Sequence, residues 1–237
     1  MKKAVGIFLL LSNTIFCYGQ NTAILDSLYP PSNLTIPYHT EWAKNHYPKK
    51  IEEFRKEPLG YGDIVFLGNS ITEKGKNWAE RFKIPNIKNR GIAGDVTEGV
   101  LQRLNEICYF KPKAVFILIG INDLFQGKSP EFVSDNILKI IETIHKNSKS
   151  TKIYIQTILP TKHSFLIEKI SAVNKSLEKM KSSSHFKLID LHDFFMDDND
   201  LMKKEYTVDG VHLNEEGYKL WTDKIKKQVL SVSKKKK

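Results

Sequence analysis

From residue 63 onward the chain alternates short apolar runs with longer stretches whose apolar residues recur every three or four positions. Runs 64–67 and 114–119 contain no polar residue, runs 153–158 and 186–189 are rich in β-branched and aromatic residues, and 87–90 is a short stretch that ends at Gly91. Their length and composition predict five strands buried on both faces. Between them the spacing predicts helices over 73–82, 97–109, 130–147, 165–181 and 214–230. In the second, Val100, Leu101, Leu104 and Ile107 fall on one side and Thr97 is placed to cap. The third carries Phe132, Val133, Ile137, Ile140, Ile141 and Ile144. Doubly buried strands alternating with amphipathic helices define an α/β fold, a three-layer α/β/α sandwich around a parallel five-stranded sheet. Right-handed crossovers bring the carboxyl end of every strand to one edge.

Ahead of this pattern, residues 20–62 form a lead-in arm punctuated by Tyr29-Pro30-Pro31 and Ile36-Pro37. One helix is expected over 41–56, with Pro48 as a point of breakage. Its aromatics, Trp42 and Phe54, are read as packing the arm on the domain, and His39 and His46 as surface or packing histidines. No internal repeat or interdomain linker interrupts 63–233, which reads as one domain.

The chemistry collects at the strand ends. Gly68-Asn69-Ser70-Ile71 follows the first strand, Gly91-Ile92-Ala93-Gly94-Asp95 the second and Gly120-Ile121-Asn122-Asp123 the third, while Asp209-Gly210-Val211-His212 precedes the last helix. A serine on a strand-to-helix turn lies where open α/β sheets bind ligands. Its hydroxyl needs a base, which histidine supplies near neutral pH, and a carboxylate to orient the imidazole. The Ser70 and Gly94 amides and the Asn122 side chain can donate to an oxyanion. Each piece also has a plain structural reading: Ser70 as a helix cap, Gly94 as a turn glycine, Asn122-Asp123 as an Asx turn, Asp209-Gly210 as a turn dipeptide and His212 as a helix-start residue. The order of all four blocks on successive edge loops favours the catalytic reading.

These four blocks resemble those of the SGNH (GDSL-like) hydrolase superfamily, over 63 to about 230. The run Asn89-Arg90-Gly91-Ile92-Ala93-Gly94-Asp95 is similar to the branch holding platelet-activating-factor acetylhydrolase subunits and bacterial carbohydrate O-acetylesterases. The resemblance implies the flavodoxin-like fold of that superfamily, Ser70 as nucleophile, Asp209 and His212 as its triad partners, and Ser70, Gly94 and Asn122 as oxyanion donors. It departs from the Gly-Asp-Ser-Leu signature at Asn69, a position outside the triad.

Charge and termini narrow the setting. Lys2 and Lys3, the apolar stretch 4–11 and small residues at Cys17 and Gly19 read as a signal peptide over 1–19, cut to leave Gln20 first. The expected location is periplasmic or extracellular. Cleavage leaves Cys108 as the one thiol, so no internal disulfide is expected. Of the formal charge of +10, two belong to Lys2 and Lys3 and four to the tail Lys234–Lys237, which leaves about +4 on the body. The tail has no interleaved aromatics, so no nucleic-acid partner is expected. Nor is stable membrane insertion, since the apolar run is short for a span.

The expected activity is a secreted serine esterase that removes short acyl groups, O-acetyl in particular, from carbohydrates. One alternative is a lysophospholipase- or thioesterase-type acylhydrolase, for which Phe125, Phe165 and Leu166 on candidate edge loops either form an apolar groove or equally cap the core. Another is a non-catalytic carbohydrate-binding protein on the same fold. No cofactor or metal is expected: no His/Cys/carboxylate cluster has ligand spacing and no phosphate-binding loop occurs. The partner expected is a small acyl ester or acetylated glycan, bound by a monomer or weak dimer. Loops 123–130, 160–166 and 192–208 are expected to set specificity.

Overall fold

A computed structural model of the chain describes residues 26–182 and 185–234. The expected signal peptide, Cys17, Gln20 and most of the lysine tail lie outside the described residues. The elements are α1 (Glu41–Lys56), β1 (Ile64–Gly68), α2 (Ser70–Glu73), α3 (Trp78–Phe82), β2 (Ile87–Gly91), α4 (Thr97–Leu101) and α5 (Asn105–Phe110). Then follow β3 (Ala114–Leu118), α6 (Ile121–Phe125), α7 (Pro130–Asn147), β4 (Lys152–Gln156), α8 (Ile167–Met180), β5 (Phe186–Ile189), α9 (His192–Phe195) and α10 (Glu215–Ser233).

The five strands pair in parallel in the order β2-β1-β3-β4-β5. Helices cover both faces: α7 packs with α4, α5 and α8, and α10 with α3. Phe66, Phe116 and Tyr154 share one register across β1, β3 and β4. Their rings stack in sequence, Phe66 on Phe116 at 5.1 Å and Phe116 on Tyr154 at 4.5 Å between centroids. Trp78 continues the stack onto Phe66 at 4.3 Å, and Trp221 of α10 meets Trp78 edge-on. All five rings are buried. Such contacts add roughly 0.5–1.5 kcal/mol each beyond area burial, and they fix the α3/α10 layer against the sheet.

That packing divides the first expected helix. In place of one helix over 73–82, the chain leaves α2, turns through Gly75 and Lys76 (φ +56°), and re-enters as α3. A Cβ at Gly75 would collide with the Trp78 ring, and Trp78 Nε1–H donates to the Thr72 carbonyl. The turn is what delivers the indole to the aromatic stack. The second expected helix, 97–109, is also two, α4 and α5. The break at 102–104 lets Arg103 fold back to the strand ends, where it donates to the Gly68 and Arg90 carbonyls. Thr97 is not the cap expected of it: Val96 occupies that position and Thr97 is the first helical residue.

Helix α1 runs unbroken through Pro48, held by buried Ala43, Tyr47, Ile51 and Phe54. The arm is anchored by polar contacts as well. Tyr47 donates to the Gly99 carbonyl. Tyr29 donates to Glu106 at 2.7 Å, and Arg90 clasps the same carboxylate with two bonds at 2.9 Å.

In this strand order the chain leaves β1 toward β2 on one side and returns to β3 on the other. The loops after β1 and β3 therefore part, and the crevice between them is where such sheets bind ligands.

Candidate active site

Strand β1 ends at Gly68, where a Cβ would collide with the Leu118 carbonyl of β3. Asn69 then caps α2, its Oδ1 accepting from the Ile71 amide at 3.0 Å. An aspartate would cap equally well, so Asn69 leaves this local geometry intact. The exchange changes the other side-chain atom, since Asn69 Nδ2 is buried with no hydrogen-bond partner among the described residues. Ser70 is the first residue of α2 and buried. Two remote residues hold this short helix. Asn89 of β2 donates its amide to the carbonyls of Thr72, Glu73 and Lys76, and Tyr218 of α10 donates to the Ile71 carbonyl at 2.7 Å.

Residues 207–212 form a compact loop ahead of α10. The Thr207 hydroxyl donates to the His212 carbonyl at 2.6 Å and accepts from the Gly210 amide at 2.9 Å. Gly210 has φ +88°, and its carbonyl accepts from the Lys162 amide; a side chain here would strain the backbone and meet Lys162. The turn folds Asp209 beneath the ring of His212. Asp209 Oδ2 lies 2.7 Å from His212 Nδ1, and Oδ1 accepts from the amides of His212 and Val211 at 2.8 and 2.9 Å. Partial burial works to raise the Asp209 carboxyl, but donors from the His212 ring and amide and the Val211 amide outweigh it and hold it near 2. The ionised carboxylate requires a proton on Nδ1, which leaves the lone pair on Nε2. That atom lies 3.0 Å from Ser70 Oγ, so the serine hydroxyl donates to it. Neither His163 nor His192 takes this place: His163 stacks among aromatics and His192 lies against Asp193.

On the other side of Ser70, Gly94 sits in the loop after β2 with φ +78°. A Cβ there would strike that of Ala43 on α1 at 2.7 Å. Asn122 lies on α6 just after β3 and donates Nδ2–H to the Asp95 carbonyl at 2.9 Å. One amide hydrogen is thereby fixed and the planar group oriented, with a second hydrogen left to donate. Asp95 is wholly buried. Its carboxylate receives two Arg103 bonds, at 3.0 and 2.9 Å, the Val96 amide and His39 Nε2 at 3.0 Å. Asp123, also buried, accepts from the Thr97 amide and hydroxyl. Burial raises its carboxyl to about 6 against the donors from Thr97.

Reading along the sequence passes over this buried framework. Of the two readings of His39, surface or packing, the structure takes the second: it is buried against Asp95. Arg103 and Glu106 have no role in the sequence reading, and Asn89 enters it only as part of the run that resembles the family. Arg103 does carry a signal, a charge among Val100, Leu101 and Leu104 on an otherwise apolar helix face. Of the three residues expected to line a groove, Phe125 and Phe165 are partly exposed and meet His163, with centroids 5.3 and 5.5 Å from its ring. Leu166 does not line it: its side chain is in the core, just ahead of α8.

A histidine-bonded serine at the switch point of a three-layer α/β sandwich has the geometry for nucleophilic acyl transfer. Residues 61–220 match the model of the GDSL-like Lipase/Acylhydrolase family, and the chain belongs to that family. It is 28% identical over 185 residues to the platelet-activating factor acetylhydrolase IB subunit alpha2 of Rattus norvegicus, covering 75% of this chain and 78% of the relative. Among solved structures, one titled as a platelet activating factor from Streptococcus pneumonia superposes with a TM-score of 0.72 at 26% identity, over 79% of this chain and 94% of that one. A carbohydrate esterase family 3 protein from Talaromyces cellulolyticus shares the fold at TM-score 0.59 and 17% identity, over 73% and 98% of the two chains. The protein is accordingly a serine hydrolase acting on esters.

Proposed function

We propose that the protein is an exported O-acetylesterase acting on acetylated carbohydrate, with Ser70 as nucleophile, His212 as general base, Asp209 as its orienter, and the Ser70 and Gly94 amides with Asn122 as oxyanion donors. The observation that carries the catalytic part is the continuous relay from Asp209 Oδ2 through His212 to Ser70 Oγ, at 2.7 and 3.0 Å. Ser70 Oγ attacks the acyl carbon as His212 Nε2 takes its proton. The oxyanion collects on the donors, each worth ~3–4 kcal/mol in a characterised case. His212 returns the proton to the leaving sugar oxygen. Water, activated by the same nitrogen, then releases acetate and restores Ser70.

The substrate reading is supported by the expected export signal and by the branch that the run Asn89 to Asp95 resembles. A chain-length series of p-nitrophenyl esters from acetate to octanoate, beside a panel of acetylated glycans, tests it. Acetate preferred over longer chains is the expected result, and a maximum at octanoate would favour the lysophospholipase- or thioesterase-type reading. A serine-reactive fluorophosphonate should label Ser70 and no other serine. Failure to label at all would point to the non-catalytic binding protein. Mass spectrometry of the exported protein should find Gln20 at the amino terminus, and lipid on Cys17 would overturn cleavage there.

A further inference from the structure

The arm that precedes the family domain contributes a side chain to the mouth of the site. The family match begins at residue 61, whereas Trp42 lies on α1. The packing of α1 is carried by Ala43, Tyr47, Ile51 and Phe54; Trp42 points away from them and remains 59% exposed. Leaving so large an apolar ring in water forgoes the stabilisation that burying it would bring. Yet the ring is held. One face stacks on His46, with centroids 4.6 Å apart and planes at 23°. His46 Nε2 lies 3.1 and 3.2 Å from the two carboxylate oxygens of Glu73, the last residue of the Ser70 helix. The same carboxylate accepts from the Ala93 amide, next to Gly94. The edge of the Trp42 ring stands 3.6 Å from where a Cβ on Gly94 would be. A rigidly backed indole therefore lies against the oxyanion loop with its second face toward solvent.

The sheet order gives this wall a counterpart. Gly94 follows β2, Ser70 follows β1, and the Phe125, His163 and Phe165 cluster follows β3 and β4. In sheet order, the Ser70 loop thus lies between the loop that Trp42 of the arm touches and the loops that carry the Phe125, His163 and Phe165 cluster.

We propose that Trp42 is a specificity-determining residue whose open face stacks on the pyranose ring of the acetylated substrate. The proposal rests on the sugar-ester reading given above and deepens it. A pyranose presents a face of C–H groups ringed by hydroxyls. Its weakly positive hydrogens suit the negative face of an indole, while its polar rim stays hydrated. A long alkyl chain would instead require an apolar groove on all sides, and this ring is open on one.

The test has a binding arm and a kinetic arm. Of the three tryptophans in the chain, Trp78 and Trp221 are buried, so acrylamide-quenchable fluorescence reports Trp42. In the Ser70→Ala variant, tetra-O-acetyl-xylopyranose should protect that fluorescence saturably, and ethyl acetate at equal concentration should not. In the Ser70-containing enzyme, Trp42→Ala should lower the ratio of kcat/KM for the sugar ester over ethyl acetate by about tenfold or more, mainly through KM, the loss that ~1.4 kcal/mol of stacking would give. Trp42→Phe should restore most of it. An unchanged ratio, equal losses on both esters or absence of protection would overturn the role of Trp42. If the wild type itself shows no preference for the sugar ester, the sugar-ester reading falls and this proposal with it. A wild-type preference that survives in Trp42→Ala refutes the role of Trp42 alone.

Discussion

The two sides of Ser70 are built in opposite ways. On one side Asp209 and His212 sit on a single six-residue loop, three positions apart, with side chains 47% and 22% exposed. Their side-chain hydrogen bonds are mostly local, and among the described residues Ser70 is the distant partner of the His212 ring. On the other side the Gly94 and Asn122 loops rest on Asp95, Arg103, His39, Thr97 and Asp123, all buried and joined across 8 to 56 positions of sequence. In the proposed roles, the imidazole on the base side exchanges protons with substrate and water, which its partial exposure permits. Donors for an oxyanion need the reverse: they work best when fixed beforehand in a low-dielectric setting. The contrast implies that substitutions on the base side cost activity with little stability, and substitutions in the buried framework cost both.

The largest effect should come from the nucleophile. Ser70→Ala and His212→Ala should each reduce kcat by ~10⁴–10⁶. Their urea midpoints should stay near that of the wild type, because neither side chain carries packing of the core. Retention of more than about a tenth of the activity in Ser70→Ala would end its assignment as nucleophile. Asp209→Ala should lose less, since the loop still positions the ring in part.

Next comes the buried framework. Arg103→Met leaves the Asp95 carboxylate buried with fewer donors and removes the bonds to the Gly68 and Arg90 carbonyls. Breaking such a pair costs ~3–5 kcal/mol, to be read from denaturant unfolding. An Arg103→Met protein as stable as the wild type would dissolve the contrast between the two sides.

Legibility in the sequence follows the same division. The strands are readable because each is a short run with a buried apolar face, β1 and β3 being buried throughout, and 186–189 coincides with β5. Ser70, Asp209 and His212 can be named because the groups that carry chemistry recur in fixed local spacing at the strand ends. Stretches 73–82 and 97–109 read as single helices because apolar periodicity cannot show the breaks at Gly75 and at 102–104. Those breaks serve contacts with Trp78 and Asp95 that exist only after folding. His39 is unreadable for the same reason: its partner is 56 residues away.

Asn122 tests the hinge between the two sides. Asn122→Ala removes a donor anchored to the Asp95 carbonyl. It should lower kcat by ~10²–10³ with little change in KM, because the bond strengthens as the oxyanion forms. A change confined to KM would make Asn122 a substrate-positioning residue and detach the buried framework from catalysis.

The smallest expected effect is also the most selective for the buried side. Asp123 accepts from the Thr97 amide and hydroxyl at the start of α4, directly after the oxyanion loop. Burial raises its carboxyl from 3.8 to about 6, so between those values the folded protein binds a proton that the unfolded chain has released. By linkage, the contribution of this group to stability falls as pH rises from about 4 to 6 and then levels off. A rise of that size corresponds to roughly 2–3 kcal/mol over the window. Other carboxylates add their own pH dependence; Asp209, held down near 2, contributes with the opposite sign and mainly below pH 4. The useful quantity is therefore the difference in unfolding free energy between Asp123→Asn and wild type, measured by urea at pH 4, 5, 6 and 7. Loss of one acceptor toward Thr97 adds a constant offset at every pH. On top of it the variant should gain relative to wild type mostly from pH 4 to 6 and little further at pH 7. A difference that stays flat would mean that Asp123 is ionised across the whole range and that its Thr97 donors outweigh its burial.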